Sequence, residues 1–292
     1  MPDPLHIIEI DSWSGPFDAD LQARACDALE SGKVLFLPRL AFPLLDGECI
    51  LLTPAVSNGK SKNVSLRPSG ELGGVACAGE AAVRLKIMMQ RFAETATRFL
   101  ESLIPVYAER LQLASASYRP VEIEGRPTSA IRDDTRLHVD AFPSRPMRGL
   151  RILRLFSNIH PDGVPRVWRV GEPFEQMAAR FLPVTDEGSR LHAWLLWRLG
   201  ITRDIRSAYD SLMLALHDGA KRDLDYQSRA PQTEIPFPAG STWICYTDQV
   251  MHAARSGQYV LEQTFHLDVG AMAAPERSPL RVLERLRGHA LV

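Results

Sequence analysis

The chain has 292 residues, with 34 Lys plus Arg against 35 Asp plus Glu and a formal net charge of −1. That balance excludes a dedicated nucleic-acid binder, which carries a large basic excess, and 45% apolar residues exclude an acidic disordered chain. The length suits one large or two small domains with a substantial core.

The first residues, Met1 to His6, lack the basic-then-apolar pattern of a secretory signal. No stretch approaches the roughly 18 apolar residues of a spanning helix. Cys26, Cys49, Cys77 and Cys245 show no C-x-x-C spacing and read as reduced, buried thiols of a cytoplasmic protein.

In chain order, residues 18–32 predict a first helix, with Asp18 or Asp20 as its cap and Leu21, Ala25 and Leu29 on one face. Residues 34–38 and 49–52 are short apolar runs suited to buried strands. Residues 57–74, polar and Gly-rich, read as an extended loop. From Gly79 onward, Leu85, Met88, Met89, Phe92, Ala96, Phe99 and Leu103 recur at steps of three and four, which predicts a long amphipathic helix kinked or ended by Pro105. β-rich runs follow at 118–124, 150–159, 166–170, 241–246 and 259–269, separated by Gly and Pro, with helices at 190–199 and 204–221 between them.

The expected fold class is α+β, with a mainly antiparallel double-stranded β-helix (jelly-roll or cupin-like) core, an N-terminal helical layer and a helical insertion. As one domain, the chain divides into a helical region 1–115, the core 116–270 with its insertion at 186–225, and a C-terminal helix 271–292. Neither G-x-G-x-x-G after a strand nor a P-loop is present, which argues against a dinucleotide or P-loop site.

The chemistry candidates lie among eight histidines. Two His and one carboxylate leave half of an iron octahedron open for substrate and oxygen, and H-x-D on a strand places two such ligands on one face. Three matches occur. His160-Pro161-Asp162-Gly163 is a turn sequence. His266-Leu267-Asp268 has only His289 beyond it. His138-Val139-Asp140 has a third ligand downstream in His252, after the turn and strand 240–248, whereas His192 and His217 fall on predicted helices. An oxygenase that uses 2-oxoglutarate also needs a cation for the far carboxylate. Residues 262–267 offer none, but Arg154 lies sixteen residues after His138 in an otherwise apolar strand, where an unpaired charge would be costly. A cupin-like lectin or isomerase using the same ligands is the alternative class.

At these residues the sequence resembles the Kdo hydroxylases, iron(II)- and 2-oxoglutarate-dependent dioxygenases acting on 3-deoxy-D-manno-oct-2-ulosonic acid (Kdo). The resemblance is carried by residues 34–38, 62–65, 137–146, 150–159, 165–174 and 240–266. It implies insertion of one oxygen atom from O2 at carbon 3 of Kdo in Kdo-lipid A, a lipopolysaccharide precursor. It further implies Fe(II) on His138, Asp140 and His252, and 2-oxoglutarate on Arg154, with Arg119 and Arg255 as further candidates.

Lys62, Asn63, Ser65 and Arg145 are candidate sugar contacts, and Trp168 either stacks on a sugar or fills the core. Lys60 lies in the same loop, and Arg148, like Arg145, either contacts an anion or caps a loop. A lipid substrate implies peripheral contact with the cytoplasmic face of the inner membrane. The basic amphipathic run 280–287 either rests on headgroups or packs on the core. Another same-fold oxygenase and a non-catalytic cupin-like saccharide binder are the competing readings; the oligomeric state is left open. The stretch 110–169 holds eleven Arg, no Lys and six acidic residues, so the near-neutral total hides a local +5 around the proposed metal.

Overall fold

The computed structural model describes residues 3–125 and 128–292. The helices are α1 (Ala19–Glu30), α2 (Gly79–Leu103), α3 (Phe174–Phe181), α4 (Arg190–Arg198), α5 (Ala208–Arg222), α6 (Leu224–Arg229) and α7 (Pro279–Arg287). The strands are β1 (Leu5–Ile7), β2 (Val34–Leu37), β3 (Val64–Leu66), β4 (Leu72–Gly73), β5 (Gln112–Arg119), β6 (Arg151–Asn158), β7 (Arg166–Gly171), β8 (Gln232–Phe237), β9 (Thr242–Tyr246), β10 (His252–Ser256) and β11 (Val260–Leu267).

Two sheets face each other as a jelly roll. The larger runs β1-β2-β9-β6-β11-β5-β3-β4 and the smaller β10-β7-β8. All pairings are antiparallel except β1 with β2.

The two-residue period of a strand sorts side chains onto two faces. Leu153 and Leu155 of β6, with Leu261 and Phe265 of β11, pack in one core with Leu85, Met88, Phe92 and Phe99 of α2. Phe156 and Val260 face the other way, joining Trp168, Phe237 and Trp243 in a second cluster between the sheets. Arg154 of β6 and Glu262 of β11 share the face of Phe156 and Val260 and are therefore interior to the roll, and this is where the site forms.

The first helix carries the expected Asp18 cap, which accepts from Leu21 N at 2.8 Å, and the long helix stops before Pro105 as expected. Several expectations are corrected. Cys49–Leu51 is a 3-10 turn with Ile50 exposed, not a buried strand. Cys49 is exposed and Cys77 half-buried; only Cys26 and Cys245 are buried thiols.

Within 57–74, β3 and β4 form a hairpin that extends the large sheet, because Val64 and Leu66 alternate with outward residues and Gly70 turns the chain at φ 81°. Strand β5 lies earlier than expected, ending at Arg119 before Pro120. Strands β8 and β10 and helices α3 and α6 were not anticipated. Strand β8 contains Pro236 and lies at the edge of the small sheet, where a missing N–H is tolerated.

Helix α7 buries Leu280, Val282 and Leu283 and contacts α3, so the C-terminal run packs on the core.

Candidate metal centre

His138 and His252 meet across a single antiparallel bridge in which each amide donates to the other's carbonyl, at 3.0 and 2.9 Å. The H-x-D segment is thus a loop held against β10 rather than a regular strand. Asp140 is fixed from the opposite side, where its amide donates to Thr247 O at 2.7 Å. The His138 segment is also held by Gln227 of α6, which accepts from Leu137 N at 2.7 Å and donates to Leu137 O at 2.9 Å.

Each of His138, Asp140 and His252 offers a ligand atom, and these atoms lie within 4.8 Å of one another. The Nδ1 atoms of His138 and His252 lie 2.8 Å from the carbonyls of Arg136 and Val250. A carbonyl only accepts, so Nδ1 carries the proton and Nε2 presents its lone pair to the site. Burial pushes both imidazoles below the ordinary histidine range, which favours the neutral, ligating form. Burial alone would raise the Asp140 carboxyl. The Arg154 guanidinium, 2.9 Å away, outweighs it and holds the group ionised. The donor set of two neutral imidazoles and one carboxylate, with the rest of the sphere open to a cavity, fits a non-heme iron(II) facial triad.

That cavity, about 60 Å³, is lined by the triad with Arg119, Asp134, Arg154, Arg166 and Trp168. Trp168 stacks at 5.0 Å on His252 and shares the inter-sheet core, the second of its two expected roles.

Arg154 faces the same cavity as both histidines, but Asp140 and Glu262 (2.9 Å) already engage it. Arg119 pairs with the same buried Glu262. Arg255 is not part of the cavity, because alternation on β10 turns His252 and Ala254 inward and Arg255 the other way.

Arg166 was missed. It is 2% exposed, has no carboxylate partner among the described residues, and donates only to Gly257 O at 2.5 Å. Burial, with Arg119 nearby, lowers its pKa to about 9. A buried cation with no ion-pair partner among the described residues, beside the buried donors Trp168 Nε1 and Arg154 Nε that have no hydrogen-bond partner there either, is suited to an anionic ligand. His217 of α5 lies edge-on to His138, with ring centroids 5.4 Å apart, and its Nδ1 is 2.9 Å from Asp218.

A second chamber of about 210 Å³, the mouth chamber, shares Arg119 and Arg154 with this cavity. Ser115, Ser117, Thr264 and His266 line it from β5 and β11, with Asn63, Phe142 and Arg145 over them. Ser65 pairs across from Ser117 and so shares its face. Lys62 is drawn aside to Asp134 at 2.7 Å. Arg145 has no ion-pair partner among the described residues; Arg67 and Arg203 are its charged neighbours.

Residues 12–290 match the family model described as 3-deoxy-D-manno-oct-2-ulosonic acid (Kdo) hydroxylase. The chain belongs to the Kdo hydroxylase family.

The fold agrees with solved Kdo hydroxylases. A structure of the Kdo hydroxylase KdoO, a non-heme Fe(II) α-ketoglutarate-dependent dioxygenase, in complex with cobalt(II) is 49% identical, with a TM-score of 0.96 over 99% of this chain and 98% of that one. KdoO with α-ketoglutarate and Fe(III) is 48% identical with a TM-score of 0.96, and the succinate–Fe(III) complex has a TM-score of 0.95; both have the same coverage. No curated protein matches the chain.

Proposed function

We propose that the chain is an iron(II)- and 2-oxoglutarate-dependent dioxygenase that hydroxylates carbon 3 of Kdo in Kdo-lipid A. The observation that carries this reading is the open His138–Asp140–His252 group beside a buried cationic cavity, in a chain of the Kdo hydroxylase family.

When bound, the iron, 2-oxoglutarate and O2 supply the oxidation, one oxygen entering the C–H bond and 2-oxoglutarate leaving as succinate and CO2. The chain's own residues do the rest. His138, Asp140 and His252 would hold the metal, while Arg166, Arg119 and Trp168 would receive the far carboxylate of the cosubstrate. Arg154 orients Asp140 and neutralises Glu262. Phe156 and Val260 close the deep end against water. The hydroxyls of Ser115, Ser117 and Thr264, with Asn63, suit a polyol, and Arg145, which has no ion-pair partner among the described residues, suits its carboxylate.

Kdo attached to lipid A implies peripheral contact with the cytoplasmic face of the inner membrane. No helix among the described residues is long and apolar enough to cross a membrane.

Purified Kdo-lipid A should gain about 16 mass units on the sugar only when iron, 2-oxoglutarate and O2 are all present. A mass change on an acyl chain, or none, overturns the substrate assignment. Independently of turnover, cobalt(II) at about 100 times its Kd should stabilise the protein by about 2.7 kcal/mol, and Asp140→Asn should abolish most of that shift.

A further inference from the structure

We propose that α4 and the loop after it form a lipid-docking surface that seats the mouth of the roll on an anionic bilayer. Of the residues in this helix only Ala193 is buried, while Leu191, Trp194, Leu195 and Trp197 are exposed. Leu199 (70% exposed) and Ile201 (54%) continue the patch. At about 100° per residue these apolar side chains sweep more than half of the helix circumference, leaving Ala193 and Leu196 to face the protein. A helix that apolar on its outward side is out of place in water.

The charges around the patch identify its partner. Arg190, Arg198 and Arg203 make no ion pair among the described residues, and between 190 and 206 Asp204 is the one acidic residue. Three unpaired guanidiniums repel an identical copy of the same surface but attract lipid phosphates. A broad apolar arc with indoles suits the fluid headgroup boundary better than the narrow seam of a helix pair.

The patch is also continuous with the site. Arg203 N donates to Ser144 O at 2.9 Å, Arg206 donates to Pro143 O, and Arg148 pairs with Asp204 at 3.4 Å. The segment so held carries Phe142 and Arg145 into the mouth chamber. Docking stands on the exposed side chains themselves; its use for presenting a lipid-linked sugar rests on the function proposed above.

Flotation of the full-length protein with substrate-free vesicles tests the surface. Vesicles of phosphatidylcholine mixed with phosphatidylglycerol should carry the protein upward. Leu191→Ser/Trp194→Ser/Trp197→Ser should weaken that binding about tenfold or more. Arg190→Gln/Arg198→Gln should abolish the preference for mixed over pure phosphatidylcholine vesicles. Both variants should keep the cobalt-induced thermal shift, because none of these side chains approaches the metal group.

Wild-type protein that stays in the soluble fraction overturns the proposal, as does a triple variant that floats normally. So does a wild-type dimer that the triple substitution splits without any vesicle binding. Flotation without Kdo hydroxylation would leave the surface intact and remove only the substrate reading.

Discussion

His138, His252 and His266 are all pushed below the ordinary histidine range by burial. His266 can be read most directly, since it lies in the mouth chamber and not on the metal. Its folded-state pKa is about 4 against an ordinary 6.5, so acidification protonates the unfolded chain first. Its neutral contribution is complete above pH 6.5 and is lost as pH falls toward 4. From pH 7 to 5 the wild type should lose about 2 kcal/mol more than His266→Gln, measured by urea unfolding at both pH values. The two metal-site histidines have the same sign in both proteins and cancel in the difference; equal losses would contradict the assignment.

The arginines show where sequence reading stopped. Spacing located Arg154 at the metal, but spacing carries no information about partners, and Asp140 and Glu262 come from segments distant in the chain. Arg166, the cosubstrate anchor proposed above, has no carboxylate partner among the described residues, and that is visible only in three dimensions. Arg166→Gln should raise the 2-oxoglutarate KM about tenfold or more with a small change in Tm. Arg154→Gln should instead lower stability by about 3 kcal/mol, because it strands the Asp140 carboxylate while Glu262 keeps Arg119. Steady-state kinetics and thermal melts separate the two roles.

At the level of elements, the turn between β9 and β10 does most of the positioning. Its Asp248 is buried against Arg151 of β6 at 2.7 Å, and Arg151 also reaches Gln249 at 2.6 Å and lies 3.8 Å from the Tyr246 ring centroid. The same turn supplies the Thr247 carbonyl for Asp140 and leads directly into His252. Arg151→Met leaves Asp248 uncompensated and should cost about 3–5 kcal/mol. Arg151→Met/Asp248→Asn should recover a large part of it, as read by denaturant midpoints.

The elements that build the hydrophobic layers were legible, because periodicity in α2, β6 and β9 records burial directly. Strands β8 and β10 were not. The first is an edge strand with an exposed outer face, and the second is five residues long with a register shift near Ala254. The hairpin at 64–73 was hidden by its glycines and polar loop residues, although Val64 and Leu66 mark its buried face.

Across the whole molecule, the distant parts of the chain are joined by a buried carboxylate. Glu30, at the end of α1, accepts from Tyr107 Oη at 2.7 Å and from the amides of Ala273 and Ala274 at 2.8 and 2.6 Å. Glu30→Ala removes the acceptor shared by the buried Tyr107 hydroxyl and the amides of Ala273 and Ala274, and should cost about 3 kcal/mol. For a chain of this size that corresponds to a drop in Tm of about 6 °C by calorimetry, with the cosubstrate KM unchanged at 25 °C. The arginine-rich stretch 110–169 has its meaning at this scale too. Strands β5, β6 and β7 fold three of its guanidiniums, Arg119, Arg154 and Arg166, into one cavity, so a charge excess that looks diffuse along the chain becomes an internal anion receptor.

The reciprocal amide pair between His138 and His252 carries a kinetic consequence. Two ligands tied through their own main chain cannot move apart independently, so their amides should exchange with deuterium at one common rate in the metal-free protein. Adding cobalt(II) should slow both by the same factor. Unequal slowing would mean that one half of the clasp yields first.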